Sequence, residues 1–338
     1  MHPTCMRVGY DRPVRQGAEL QGLGTRGRRW HVGEVIELRG GEFRARIDRT
    51  GAGLQELTWR GRHVVWPYTS VEGPVAFQGQ VLAPWPNRVR DGVYEHNGAE
   101  HHLKVNDPAT KSAIHGLVHD RRWSAITLSE EKVRLRLGLE ATPGFPYSLE
   151  LEIGYHLGPD GLTVTTTARN PGAVSSPFGL GFHPYLSLGE PLRELAERGQ
   201  VVLSSPARSR QPVDERLLPA GAPVPVAGGE FDLRAPGREL GGTVLDTAFT
   251  DLDRDTEGRA WVHLTGPEHR VSLWCDASFG WLQLFSSDTL SGSHHRAHLA
   301  VEPMTCPPNA LNSGIDLLLL APGESTEHVF GITAGPSS

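Results

Sequence analysis

Leu149-Glu150-Leu151-Glu152-Ile153-Gly154-Tyr155-His156-Leu157, then Gly158-Pro159-Asp160-Gly161, then Leu162-Thr163-Val164-Thr165-Thr166-Thr167-Ala168 decides the fold class of this chain. Apolar and polar residues alternate on both sides of a Gly-Pro-Asp-Gly break. Successive side chains of a strand point to opposite faces, so the stretch reads as a hairpin with one buried face. The same period of two extends outward. Residues 133–139 alternate cleanly and pair with 123–128. Residues 94–102 form a hairpin about Asn97-Gly98, the dipeptide best suited to the positive φ angles of a type I′ turn. Residues 35–38, 43–47 and 64–66 read as early strands, and 201–204, 261–264, 271–274, 281–285 and 315–320 as later ones. Only 192–198 carries a helical pattern.

The 40 glycines and 26 prolines are spread through the turns, as a many-stranded protein requires. No linker or internal repeat interrupts the chain after residue 30. This predicts one large all-β domain, a sandwich or a wide barrel. Residues 1–30 are rich in Arg, Gly and Pro without a period, so a disordered N-terminal extension is expected there, followed by a domain over 31–335. Gly22-Leu23-Gly24-Thr25-Arg26-Gly27 has the glycine spacing of a dinucleotide fingerprint. No apolar strand precedes it and no helical pattern follows, and that motif needs both.

With 38% hydrophobic and 21% charged residues, the 338-residue chain has an ordinary globular composition. A net charge of -6 and the lack of like-charge blocks argue against a nucleic-acid partner. Cys5, Cys275 and Cys306 form no disulfide framework and no Cys-x-x-Cys pair. No apolar stretch reaches the roughly 18 residues of a membrane span, and the start of the chain lacks a signal-like apolar region. A cytoplasmic protein without a membrane partner is expected.

Chemistry concentrates in five segments. Glu302-Pro303-Met304-Thr305-Cys306-Pro307-Pro308-Asn309-Ala310-Leu311-Asn312-Ser313-Gly314 puts a carboxylate at the end of the apolar run 299–301, ahead of a Pro- and Asn-rich loop. Burial there would raise its pKa and make it a better base. Ala83-Pro84-Trp85-Pro86-Asn87-Arg88-Val89-Arg90-Asp91-Gly92 presents Arg88, whose guanidinium can bridge two hydroxyl groups. In Ile114-His115-Gly116, the glycine allows another chain to approach His115 closely. Gly179-Leu180-Gly181-Phe182-His183-Pro184-Tyr185 fixes an imidazole able to give or take a proton. Leu245-Asp246-Thr247-Ala248-Phe249 sets an acid beside an aromatic ring. Each segment alone also fits an ordinary structural role.

In this order and at these separations, the five segments resemble those of the aldose 1-epimerase (galactose mutarotase) family. The resemblance covers nearly the whole chain and is most specific at Asn87–Gly92, His183–Tyr185 and the segment from Glu302. It implies a single β-supersandwich domain with a sugar-binding cleft on one sheet, and no metal or organic cofactor. Carried over residue by residue, it implies Glu302 as catalytic base and His183 as catalytic acid. It implies Arg88, Asn87, His115 and Asp246 as substrate-binding groups, with a monosaccharide as the partner. Trp281 or Phe249 would offer an apolar face to the sugar. The residues after His115 (Val118-His119-Asp120-Arg121-Arg122-Trp123) and around His183 look more like a divergent bacterial branch than like the galactose enzymes. The resemblance therefore carries the chemistry and not the identity of the sugar.

The expected reaction interconverts α and β anomers by ring opening, with ionised Glu302 taking the O1 proton and protonated His183 supplying one to the ring oxygen. Alternatives are a sugar-phosphate or modified-hexose 1-epimerase using the Arg121-Arg122 pair, a glycoside hydrolase using Glu302 and Asp246, and a non-catalytic carbohydrate-binding module. Two histidine groupings, His294-His295-Arg296-Ala297-His298 and His115 with His119, have spacings that could ligate zinc. Neither has the His-Glu-x-x-His order or a helical setting, so both read as loop clusters.

Overall fold

The computed structural model describes residues 35–69 and 71–337. The expectations for residues 1–30, including the glycine-rich hexapeptide, lie outside these. The leading hairpin forms as read: Leu149–Gly158 and Gly161–Arg169 pair antiparallel with Leu151 opposite Ala168 and Tyr155 opposite Val164. Leu149, Leu151, Ile153, Tyr155 and Leu157 are all buried, which is the alternation expressed as burial. Asn97 and Gly98 take φ of 52° and 73° at the tip of the Val93–His96 and Ala99–His102 hairpin.

Among the described residues, two large sheets dominate. The nine-stranded sheet runs from Ser124–Leu128 through Lys132–Leu139, the leading hairpin, Ser325–Pro336, His269–Cys275, Ala260–Thr265 and Val202–Ser204 to Arg238–Glu239. The eight-stranded sheet has Asp246–Leu252, Trp281–Phe285 and Leu299–Met304 at its centre, with Gly181–Phe182 and Val81–Leu82 beyond. A four-stranded sheet is formed by Val35–Gly40, Phe43–Asp48, Leu54–Trp59 and Arg62–His63.

The two large sheets face each other. Ile153, Val164, Leu273 and Ile332 of one share a buried apolar cluster with Leu282, Leu284, Leu299 and Val301 of the other. Phe182 meets Phe330 across the gap at 4.5 Å between ring centroids. Each such side chain contributes roughly 1.5–3 kcal/mol by leaving water. The architecture is therefore a sandwich and not a closed barrel. Phe249, opposite Leu282, belongs to this core, so it offers no ring to a ligand.

Several elements differ from the sequence reading. Residues 64–66 form only an isolated bridge, Val65 to Leu186, and the expected strand at 315–320 shrinks to Leu318–Leu320 because Ile315 and Asp316 turn. The helix at Leu192–Glu197 is present, and a second short helix, Ala310–Ser313, joins it. The 12-residue strand Ser325–Pro336 has no counterpart in the expectations. Among the described residues, no helix is long and apolar enough to cross a membrane.

Candidate active site

Strand register assembles the site. Gln283 lies directly opposite Glu302, and Ala248 opposite Gln283, so these residues share one face of the eight-stranded sheet. Asp246, two residues before Ala248, is on that face too, and its Oδ1 accepts a 2.6 Å bond from the Gln283 amide. The opposite face carries Leu282, Leu284 and Val301 into the core. On the other side of Glu302, Gly181 pairs with Met304 and Tyr185 with Ala300. His183 therefore falls level with Glu302, at the break between the two short strands. Its Nε2 lies 3.4 Å from Glu302 Oε1. Glu302 sits within the strand Leu299–Met304 and not at its end, and it is only 2% exposed.

Two loops complete the site. Asn87 and His115 both take left-handed backbone conformations, with φ of 55° and 64°. The Asn87 N–H donates to His115 Nδ1 at 3.2 Å, and the His115 N–H donates to the Asn87 carbonyl at 3.0 Å. Gly116 makes this possible, since a Cβ there would lie 2.0 Å from the Ala83 carbonyl oxygen. Arg88 donates from Nε to Asp107 at 3.1 Å, and Asp107 also accepts from the Thr110 hydroxyl at 2.6 Å. Asn309 straps the loop after Glu302 onto this region: its N–H donates to the Arg88 carbonyl, and its Oδ1 accepts from the Arg90 N–H.

Buried charge is costly, and the site is deeply buried. Burial pushes the Glu302 carboxyl well above its ordinary range, with the Asp246 charge adding to the rise and Arg88 opposing it. Burial pulls the His183 imidazole down to about 3. Asp246 is also raised by burial, again against Arg88. Burial thus favours a carboxylic acid beside a neutral imidazole. The sequence reading assigned the charge-separated form of the same pair. Both forms hold one proton between two groups, and a transfer across the 3.4 Å contact interconverts them.

His115, His183 and Glu302 present ligand atoms all within 4.8 Å of one another, a spacing a divalent cation could use. The tautomer of His115 argues otherwise. Its Nδ1 accepts from the Asn87 N–H, so the neutral ring carries its proton on Nε2. Burial and the neighbouring His183 and Arg88 keep that ring neutral. Its Nε2 is consequently a hydrogen-bond donor, without the lone pair that a metal needs. The other histidine groupings pack as rings: His294 and His298 flank Trp66 at 4.9 and 4.8 Å, and Phe77 contacts both His115 and His119 edge-on.

Of the sequence-derived residues, Glu302, His183 and His115 converge, with Asn87 locked to His115. Arg88 acts electrostatically on Glu302 and Asp246. Trp281 lies opposite Met304 on the site face. With Ala248 and Met304 it makes an apolar patch separate from the main core, and its indole N–H donates to Asp316 at 2.7 Å. Sequence reasoning missed Gln283, Tyr185 and Phe77. Tyr185 stacks on His183 at 4.9 Å, and Phe77 lies near-parallel to it at 6.4 Å. A lone amide in Trp281-Leu282-Gln283-Leu284-Phe285 was the available signal for Gln283.

The chain has known relatives. A family model described as aldose 1-epimerase matches residues 34–333. The chain is 36% identical over 303 residues to the uncharacterized protein YihR of Escherichia coli K12, covering 89% of this chain and 93% of that protein. It is 26% identical over 300 residues to human galactose mutarotase, covering 82% and 86%. A GalM/aldose epimerase homologue from C. elegans superposes with a TM-score of 0.79 at 19% identity, covering 90% of this chain and 99% of that one. Galactose 1-epimerase from Lactobacillus acidophilus NCFM gives 0.75 at 22% identity, covering 93% and 98%. These two likenesses show the fold, and the match over residues 34–333 shows more: the chain belongs to the aldose 1-epimerase family.

Proposed function

We propose that the protein is a mutarotase, interconverting the α and β anomers of a free aldose with Glu302 and His183 as its proton-transfer pair. The observation that carries this is the 3.4 Å contact of His183 Nε2 with Glu302 Oε1, on a rigid sheet face that also presents Asp246 and Gln283.

A sugar entering the site brings hydroxyl dipoles beside Arg88, which compensate the ion pair that burial disfavours. The proton then passes from Glu302 to His183. The Glu302 carboxylate takes the O1 proton, the C1–O5 bond breaks with its electron pair on O5, and O5 takes the proton from His183. C1 becomes an aldehyde carbon, and rotation about C1–C2 turns its other face to O5. Closure reverses every transfer and restores the ion pair. The open-chain stage therefore coincides with the neutral acid and neutral imidazole that burial favours. Placing the two transfers together contributes roughly 10²–10⁴-fold for each group.

The His115 Nε2–H would donate to a sugar oxygen, Arg88 would span neighbouring hydroxyls, and Asp246 would accept from hydroxyls. The apolar patch at Trp281 would meet the C–H side of the ring. Polarimetry of freshly dissolved α-aldoses, run as a panel with and without the protein, tests the reading. Accelerated decay to the anomeric equilibrium is expected, without release of reducing ends from oligosaccharides. A panel on which no aldose is accelerated would overturn the assignment.

A further inference from the structure

A concavity is lined by residues other than those of the candidate active site. It has a volume of about 290 Å³ and sits among the Arg62–His63 strand, the segment after Leu186, and the turn leading into His269–Cys275. It shares no lining residue with the cluster of His115, His183 and Glu302. Arg62, Leu188, Glu190, Leu195, Glu268 and His269 give it its chemical character.

Its charges are already matched. Arg62 pairs with Glu268 at the exposed rim, and Glu190 pairs with Arg198 at 2.8 Å. A strongly charged ligand would have to break one of these pairs, so the lining suits a neutral molecule. Leu188 and Leu195 supply an apolar wall; Leu188 packs so tightly on Gly266 that a Cβ there would lie 2.9 Å from Cδ1. The most buried polar side chain of the lining is His269, only 2% exposed. Its ring is tied to the Ser187 backbone, yet Nε2 has no hydrogen-bond partner among the described residues. Burial, with Arg62 nearby, lowers its proton affinity and keeps the imidazole neutral. A buried acceptor without a partner costs on the order of 1–3 kcal/mol, and a donor hydroxyl would relieve that cost.

An apolar wall, a paired carboxylate and guanidinium at the rim, and one buried acceptor suit a ring with a C–H face and an edge of hydroxyls. The volume lies near the lower end of ligand pockets, room for one small ring. We propose that this cavity is a second carbohydrate site, holding one neutral pyranose without acting on it. Glu268 accepts from adjacent hydroxyls, Arg62 donates to them, and His269 Nε2 accepts from the hydroxyl inserted deepest. The chain from His183 to Leu188 joins the two sites directly, so they share one short segment.

The test follows the 15N resonance of the His269 imidazole in the full chain while D-glucose, D-galactose, D-xylose and D-mannose are added in turn. His269→Phe assigns the signal by removing it. At least one sugar should shift the resonance saturably. Glu268→Ala, at the exposed rim and so compatible with folding, should weaken that titration about tenfold while leaving mutarotation within about twofold. Asp246→Ala should abolish mutarotation and leave the titration intact. The proposal is overturned if no sugar moves the resonance, if Glu268→Ala leaves the affinity unchanged, or if Asp246→Ala removes the response. Titration without any mutarotation would sink the proposed reaction alone, and mutarotation without titration would sink the second site alone.

Discussion

Asn87 and His115 hold each other through two reciprocal hydrogen bonds, each from a residue in a left-handed backbone conformation. Such conformations cost of order 1–3 kcal/mol for ordinary residues and persist where the surroundings over-determine them. The arrangement fixes the His115 proton on Nε2. His115→Phe should lower kcat/KM by roughly tenfold or more, and should lower stability by about 1–3 kcal/mol because the Asn87 N–H loses its acceptor. Urea unfolding alongside polarimetry separates the two effects. A stable variant with wild-type turnover would remove His115 from the site.

Glu302→Gln keeps the shape of the side chain and removes its proton chemistry. Turnover should fall by roughly 10²–10⁴-fold, with thermal stability unchanged or raised because a carboxyl that resists ionisation is gone. His183→Asn should behave alike in turnover. If the two act as one unit, the double variant is no slower than the worse single one. Additive losses would show that they act in separate steps.

In the proposed reaction the pair holds one proton, so the pH profile expected of it follows from the directions of its shifts. Activity should fall on the acid side only when the pair takes up a second proton, toward the value of about 3 to which His183 is pushed. On the alkaline side it should fall when the pair loses its only proton, above the ordinary range for Glu302. A plot of log kcat/KM against pH should therefore show no acid limb in the usual histidine range. An acid limb centred near pH 6.5 would contradict the buried neutral imidazole.

Stability should respond to pH through the buried histidines. Burial lowers His183 and His298 to about 3 and His328 to about 4. The unfolded chain takes protons on these rings as pH falls below about 6.5, while the native state refuses them. Their contribution is complete above about 6.5 and drains away toward those folded values. Glu302, raised in the fold, runs the other way: its contribution is complete below the ordinary carboxylate pKa and lost as pH rises toward its folded value. Urea midpoints should drop between pH 7 and 5. His298→Phe, removing a half-buried ring whose Nδ1 has no partner among the described residues, should flatten that drop.

Gly116→Ala should destabilise the protein and depress activity together. Its φ is 71°, and the new Cβ would lie 2.0 Å from the Ala83 carbonyl oxygen, so the loop carrying His115 must move. A lowered melting temperature and an impaired kcat/KM are expected. A variant indistinguishable from the parent would show that the approach of this loop to Ala83 is not needed.

Alternation made most strands legible, because each has one wet and one dry face. Leu149–Gly158 is the clear case, and Glu302 stood out as an acid at the end of an apolar run. The strand Ser325–Pro336 was hidden by Gly331, Gly335 and Pro336, which read as turn residues. Gly331 is required where it stands, because a Cβ would lie 2.4 Å from the Trp274 indole nitrogen. Gln283 escaped because its meaning depends on Asp246 and Glu302, its neighbours on adjacent strands. Val64–Trp66 was overread because its pairing stops at a single bridge, Val65 to Leu186, while the Trp66 ring packs on Tyr185 and His298. Partner choice between distant strands is a tertiary matter that local spacing does not encode.

The row of Gln283 and Glu302 on paired strands has a consequence for how copies of this chain mature. Sliding Leu299–Met304 by a single residue against Trp281–Phe285 would turn Glu302 inward among Leu282 and Leu284 and expose Val301. A mispaired copy would thus be defective and fragile at once. Proteolytic surveillance of loosely folded chains would, for this protein, also cull the inactive ones.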